Sequence, residues 1–370
     1  GTAACLPHSS SRTPTPPHPP GPTRIKPTMK DIRLALVGFG NVGRRFAKEL
    51  RGSYAPALRA AHVKVRVTGI ATGRHGLAID PDGIALHRAR RLVETERSLE
   101  ALGRGPQPGN VQELIARVPA DVLVEISTLD PRRGEPAASH VRQALNRGLH
   151  VVTANKGPVA FARRSLMALA RKKGRIFLHE SAVMDGTPVF NLVERCLPGC
   201  QVLGFRGTLN STTNLILSRM EEGLSAGAAL AEAQALGIAE ADARNDLDGW
   251  DSAVKGCALA AAFMGATVLP GDASRRGMGK VTSREVRHAL REGARVRLVV
   301  RGERRAGRVR VGVRPERVPL GDPLVGAGAD NVLMIQTDLM GEIGIVERGS
   351  TVDQTAYGLL SDLLRVVRGL

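Results

Sequence analysis

The stretch Leu34-Ala35-Leu36-Val37-Gly38-Phe39-Gly40-Asn41-Val42-Gly43-Arg44-Arg45-Phe46 joins a short apolar run to a glycine-spaced turn and then to a helical pattern. The spacing is G-x-G-x-x-G, and its position between a strand and a helix gives it meaning. Gly38 permits the tight turn, Gly40 lets a pyrophosphate approach the backbone, and Gly43 lets the helix pack closely on the strand. A pyrophosphate there would rest on the N–H groups that open the helix. Gly38, Phe39, Gly40, Asn41, Val42 and Gly43 are therefore candidate cofactor contacts.

Outward from this turn, strand and helix signals alternate. Strands are expected at 32–37, 63–71, 122–126, 150–152 and 175–179, with helices near 41–50, 88–102, 110–117, 136–147 and 159–172. That alternation predicts a parallel sheet covered on both faces. After about Gly186 the pattern changes to a strand at 202–209, helices near 211–222, 226–236 and 250–264, a hairpin over 295–313 and strands at 331–336 and 344–346. A last helix is expected over 353–367. The fold class is α/β followed by α+β. The division is a proline-rich, disordered tail over 1–29, a nucleotide-binding domain over 30–158 completed by the segment 350–370, and a second domain over 159–349.

The chain has 370 residues, 42% hydrophobic and 24% charged, which fits a globular protein with a sizeable core and excludes a disordered or collagen-like chain. Its net charge of +18 comes largely from arginine, since only nine of the 53 cations are lysine. The arginines are dispersed, with Arg163-Arg164, Arg275-Arg276 and Arg304-Arg305 as pairs rather than the longer basic clusters of nucleic-acid patches. Aromatics at 3% also weigh against a stacking platform for single strands, so no nucleic-acid partner is expected. The longest apolar stretch, from Cys257 to Pro270, is too short for a membrane span. Cys5, Cys196, Cys200 and Cys257 lack metal-finger spacing, implying a reduced, cytoplasmic protein. Met29 reads as the natural start.

The end of the second strand bears on the choice of dinucleotide. An acid there would bind the ribose hydroxyl of NAD, a cation the 2′-phosphate of NADP. The chain offers Thr72-Gly73-Arg74-His75 and no acid before Asp80, so the expectation leans to NADP over NAD, with Arg74 as the contact. Val151-Val152-Thr153-Ala154-Asn155-Lys156 sets Asn155 and Lys156 beyond a strand's C-terminal end, where open α/β sheets bind ligands. Farther on, Glu240, Asp242, Asp246, Asp248 and Asp251 precede Lys255, and a helix from Gly249 would place Asp251 and Lys255 on one face.

With these residues in view, the chain resembles the homoserine dehydrogenase family. The resemblance rests on GFGNVGR from 38, VVTANKGPVA from 151, GTLNSTTN from 207 and AEADARNDLDGWDSAVK from 239, an ordered set covering most of residues 32–368. It implies interconversion of L-homoserine and L-aspartate 4-semialdehyde with NAD or NADP, in the route to threonine, methionine and isoleucine. It also implies a Rossmann-type nucleotide domain and a catalytic and dimerisation domain built on a mixed sheet, in a homodimer. By the same resemblance Lys255, Lys156 and Asp251 are catalytic. Glu240, Asp246, Gly237, Ser211 and Thr212 line the substrate, and Ser127, Thr128, Asn155, Lys156 and Gly349 touch the cofactor. Carbonyls of Glu180, Val183, Asp185 and Thr187 would hold a monovalent cation, usually sodium, and oxygen ligands suit such a hard ion.

The chain departs from the family pattern at three places. Glu240-Ala241-Asp242-Ala243 lacks the two prolines common there, so this loop is less rigid. A glycine-rich G-x-G-A-G-like turn is replaced by Glu347-Arg348-Gly349-Ser350-Thr351, which keeps Gly349 alone. An end at Leu370 leaves no room for an appended regulatory domain. Another NAD(P)-dependent amino-acid dehydrogenase on the same scaffold, or a non-catalytic dinucleotide sensor, are the alternative readings.

Overall fold

A computed structural model describes residues 1, 2 and 29–369. The expected disorder of the proline-rich tail concerns residues 3–28, which lie outside the described residues.

Six strands form the first sheet: β1 (Lys30–Val37), β2 (Val63–Ala71), β3 (Leu77–Ile79), β4 (Val122–Glu125), β5 (His150–Thr153) and β6 (Phe177–Leu178). Their order is β3-β2-β1-β4-β5-β6, parallel throughout except where β3 runs antiparallel to β2. Strands buried on both faces read as unbroken apolar runs, and Leu34–Val37, Val122–Val124 and Val151–Val152 are almost wholly buried. The chain leaves β1 toward β2 on one side and later returns to β4 on the other. That reversal opens a crevice beyond the strand ends, the place where such sheets bind ligands. The Gly38 turn sits at that crevice.

The second sheet contains β7 (Val202–Thr208), β8 (Ser274–Arg275), β9 (Ala294–Arg305), β10 (Arg308–Pro319), β11 (Asn331–Thr337) and β12 (Glu342–Glu347), in the order β12-β11-β7-β9-β10-β8. It is mixed as expected: β8 pairs parallel with β10, and the remaining pairs are antiparallel. The helix Trp250–Phe263 lies on its inner face, burying Val254 and Cys257 with Leu298, Val300, Val311 and Ile335. Gly256 allows this close approach, since a Cβ there would stand 2.6 Å from the Val300 side chain.

Two helices join the halves. Lys156–Lys172 packs against Trp250–Phe263. The helix Val352–Arg368 packs on Asn41–Glu49 and inserts Leu359, Leu360, Leu363 and Val366 into the core of the first half. Each such side chain is worth ~1.5–3 kcal/mol when fully buried. The expected division at residue 158 falls in the first turn of the Lys156 helix, and the first sheet draws β6 from beyond it.

Local differences from the expectation have physical causes. The helix expected from 159 begins at Lys156, because Asn155 caps it by accepting from the Gly157 N–H at 2.9 Å. The strand expected over 175–179 pairs only at Phe177 and Leu178. The three-residue β3 and the helix Ser283–Arg291 were not anticipated.

Candidate active site

The nucleotide turn is made of backbone. Gly38 has φ +102°, and a Cβ on it would lie 2.2 Å from the Ile126 carbonyl oxygen. A Cβ on Gly43 would lie 2.9 Å from the Gly38 oxygen, whereas one on Gly40 meets nothing within 4 Å. Two glycines thus serve packing, and the third leaves open space in front of the helix N-terminus. The helix Asn41–Glu49 starts with Gly40 as its cap, no side chain bonded across its first N–H groups and no acid in its first turn. Such an end attracts an anion. Before it lies a cavity of about 850 Å³ whose walls include Gly40, Arg44, Arg74, His75, Ser127 and Thr128. Phe39 is buried beneath it, and Asn41 accepts from the Arg44 guanidinium at 2.9 Å. Arg74 is exposed on the lip.

Behind this cavity Glu125 is fully buried at the end of β4. Its carboxylate accepts from the Ser127 hydroxyl and, at 3.3 Å, from the Thr153 hydroxyl, with His140 at 3.5 Å. Asn155 completes the scaffold: besides capping the Lys156 helix, it donates to the Ser127 carbonyl at 3.0 Å. Its side chain is therefore committed to shaping the loop that carries Ser127 and Thr128.

Lys156, Asp251 and Lys255 meet as expected, and the arrangement is tighter than an i, i+4 pair. Asp251 accepts from Lys255 Nζ at 2.9 Å and from Lys156 Nζ at 2.7 Å, bridging the two helices. Lys255 also donates to the Leu209 carbonyl at 2.6 Å. Asn210 is the organiser that sequence reasoning missed. Its side-chain oxygen caps the helix Ser211–Glu221 through the Thr213 N–H at 2.9 Å, while its amide donates to Asp246 at 2.7 Å and Asp251 at 3.0 Å. The cap position before Ser211 was the available signal. Burial opposes ionisation of Asp251, but the charges of Lys156 and Lys255 outweigh it and hold the carboxyl well below the usual range. Burial likewise works against the Lys255 ammonium, yet Asp251 carries its pKa above the ordinary lysine value. Asp246 is pushed up by burial and by the neighbouring Asp251 charge. Burial also pushes the Cys257 thiol, on the same helix, up to about 12.

Beside the cluster, Thr212 donates from its hydroxyl to the Ile238 carbonyl at 3.2 Å, docking the loop that carries Gly237 and Glu240. Gly237 has φ +71°, and Glu240 is exposed. Ser211 accepts from the Asn331 amide at 3.0 Å.

The altered turn Glu347–Thr351 is tied to the segment 185–187. Glu347 is buried, accepting from Asn331 at 2.8 Å and from Thr187 at 3.2 Å. Burial, reinforced by Asp185, raises its pKa. Ser350 donates to Asp185, as does Thr355 at 3.0 Å, and the Gly349 N–H donates to Asp330 at 3.3 Å with Gly349 at φ +63°. Met184 and Asp185 both hold positive φ, 53° and 49°, so the segment turns sharply. Among the described residues no well-aligned donor reaches the carbonyls of Val183 or Asp185, while that of Thr187 accepts from the Val189 N–H at 2.7 Å. Asp362, on the C-terminal helix, holds the Glu180 N–H at 2.8 Å. Glu347 and Asn331 reach partners far away in sequence, Thr187 and Ser211, and no local pattern predicts those contacts.

Comparison with known proteins points to one family. The family model for homoserine dehydrogenase matches residues 188–364, and the one for the homoserine dehydrogenase NAD-binding domain matches residues 38–180. A homoserine dehydrogenase of Methanocaldococcus jannaschii is 36% identical over 340 residues, 90% of this chain and 98% of that one. An NAD(+)-dependent homoserine dehydrogenase of Pseudomonas canavaninivorans is 33% identical, over 91% of this chain and 97% of its own. A solved hyperthermophilic archaeal homoserine dehydrogenase in complex with NADPH superposes with a TM-score of 0.76 at 27% identity, covering 92% of this chain and 98% of that one.

Proposed function

The chain belongs to the homoserine dehydrogenase family and is an NAD(P)-dependent oxidoreductase, and we propose the following division of labour among its residues. The reaction interconverts L-homoserine and L-aspartate 4-semialdehyde. NAD(P) supplies, when bound, the nicotinamide ring that accepts or returns the hydride. Residues 38–43 receive its pyrophosphate, Ser127 and Thr128 its nicotinamide side, and Lys156 and Gly349 border the ring. Asn155 contributes by holding the Ser127 loop. Arg74 takes the 2′-phosphate, which favours NADP. The P. canavaninivorans relative shows that the family also uses NAD, so this preference rests on Arg74 and the lack of an acid on the cavity wall.

Lys255 is the proton carrier. Its ammonium, oriented by Asp251, protonates the alkoxide that forms when the aldehyde is reduced. In homoserine oxidation the neutral amine receives the hydroxyl proton as hydride leaves. Because Asp251 raises the Lys255 pKa, oxidation gains as pH rises and reduction gains as it falls. Lys156 shares Asp251 and adds positive charge toward the developing alkoxide. Glu240 and Asp246 bind the substrate ammonium, and Ser211, Thr212 and Gly237 line its path. The observation that carries the reading is Asp251 bridging Lys156 and Lys255, two of only nine lysines, across the two halves of the chain.

Val183 and Asp185, whose backbone carbonyls meet no well-aligned donor among the described residues, fit a monovalent cation such as sodium, with Glu180 and Thr187 completing the set. Such an ion would pin the turn that Ser350 and Thr355 grip. Two copies pair through β12, β11 and β7, where Leu203 and Val346 are exposed on the strands and Leu339 and Met340 in the turn between β11 and β12. Among the described residues no helix is long and apolar enough to cross a membrane, and a cytoplasmic location suits the reaction. Residues 30–158, with β6 and the C-terminal helix, form the nucleotide domain, and the remainder of 159–349 the catalytic and dimerisation domain.

The test is homoserine oxidation with NAD and NADP in parallel, with and without sodium. Faster turnover with NADP and a gain with sodium are expected. No turnover with either dinucleotide overturns the assignment.

A further inference from the structure

The Arg275-Arg276 pair converges in the fold with arginines of β9 and β10. Beside the β8 edge of the second sheet lies a groove of about 670 Å³, walled by Arg275, Arg276, Arg301, Arg305, Arg310 and Arg314 with Glu303 and Glu316 as its acids. Glu316 is committed to Arg301 at 2.6 Å and Arg314 at 2.9 Å, and Glu303 lies 3.4 Å from Arg305. Among the described residues no carboxylate pairs with Arg275, Arg276 or Arg310. The groove wall therefore carries six arginines against two acids, and Arg275, Arg276 and Arg310 are left without a carboxylate partner. Guanidinium forks in this number match phosphate oxygens bidentately.

The groove is wired to the catalytic helix. Arg275 stacks on Trp250, the one tryptophan of the chain, with its guanidinium carbon 3.9 Å from the ring centre. Trp250 begins the helix and directly precedes Asp251. Arg275 also donates to the Asp248 carbonyl at 2.5 Å, and the Met278 N–H to the Leu247 carbonyl at 2.8 Å. Gly277 packs so tightly there that a Cβ would come within 2.3 Å of the Leu247 oxygen. Segment 274–278 thus links the groove wall to the backbone between Asp246 and Asp251.

We propose that this groove binds a small polyphosphate anion and that Arg275 and Trp250 couple its occupancy to the substrate pocket. The ligand class is a di- or triphosphate, free or borne on a nucleoside. It meets Arg276 and Arg310 at the rim, and Arg275 turns toward it at the expense of the Trp250 stack. Coupling is reciprocal, so homoserine changes the anion's affinity by the same factor by which the anion changes homoserine's.

The experiment titrates the full chain with tripolyphosphate and, separately, ATP by calorimetry. Trp250 emission is followed with tripolyphosphate, and potassium chloride matches ionic strength. Saturable tripolyphosphate binding with an emission change is expected, weakened about tenfold or more in the Arg276→Gln/Arg310→Gln variant as charge-assisted contacts are lost. Tighter binding of ATP than of tripolyphosphate assigns the nucleoside form, and equal or weaker binding the free anion. Arg275→Gln should still bind the anion, with a smaller loss of affinity than the double variant, but lose the anion's effect on the KM for homoserine. Affinity unchanged in the double variant, or an emission change reproduced by chloride alone, overturns the site. An unaltered KM in the wild type at saturating tripolyphosphate overturns the coupling.

Discussion

At the Gly38 turn the chain shapes its site from backbone that excludes side chains, whereas around Asp251 it shapes one from side chains delivered by three separate segments. The first site is contiguous over residues 38–43. The second joins Lys156, Asn210 and the Asp246–Lys255 stretch, with 95 positions separating Lys156 from Asp251. A backbone site is robust toward its surroundings but intolerant of a single added carbon. A charged side-chain site tolerates changes of shape but depends on every counter-charge, because an unpaired buried ion is strongly destabilising.

That contrast can be broken at either end. The largest effect is expected from Lys255→Ala, which should cost ~10²–10⁴-fold in turnover while dinucleotide affinity, measured by fluorescence titration, stays intact. Retention of more than about a tenth of the activity would remove Lys255 from the proton path. Asp251→Asn should destabilise the fold at neutral pH by about 3–5 kcal/mol, since it strands two ammonium groups. The sign follows from the depressed Asp251 pKa. Its stabilisation is complete above the unfolded carboxyl value of ~3.9 and is lost as pH falls through the folded value. Denaturant curves for the variant and wild type should therefore converge in strong acid and differ at pH 7. A constant gap across that range would mean that charge pairing is not the cause.

At the backbone site, Gly38→Ala combines a left-handed φ with a clash against Ile126 and should destabilise by ~1–3 kcal/mol or more. Gly40→Ala faces open space and should leave the melting temperature nearly unchanged while weakening dinucleotide binding. Equal loss of stability in both would show that Gly40 also serves packing. The smallest effect is expected from Arg74→Ser, a rise of about tenfold in the KM for NADP with that for NAD unchanged.

The same contrast explains what could be read in advance. The Gly38 turn, β1 and β2 are local patterns, and β2 spans Val63–Ala71 as expected. Asp251 and Lys255 were legible as helix neighbours. That Lys156 reaches the same carboxylate depends on packing between its helix and Trp250–Phe263, which no window of sequence contains. The helix start at Lys156 rather than 159 was available in the capping residue Asn155. So was the helix Ser283–Arg291, whose Thr282 and Glu285 form a capping box. Glu347 was visible as a departure from the family turn. Its bonds to Asn331 and Thr187 follow from the pairing of β11 with β12 and from the sharp turn at Met184 and Asp185.

The return of Val352–Arg368 to the first half carries a consequence for biosynthesis. Leu359, Leu360, Leu363 and Val366 belong to the same apolar cluster as Leu34 and Phe46. During translation the nucleotide-binding half therefore waits, with part of its core uncovered, from the emergence of β6 at Leu178 until the helix Val352–Arg368 has left the ribosome. Domains that fold as they emerge escape such exposure, and this one cannot. The catalytic half is made in the interval, and its own core draws nothing from the last helix, so the half that is synthesised first is the one whose core is completed last.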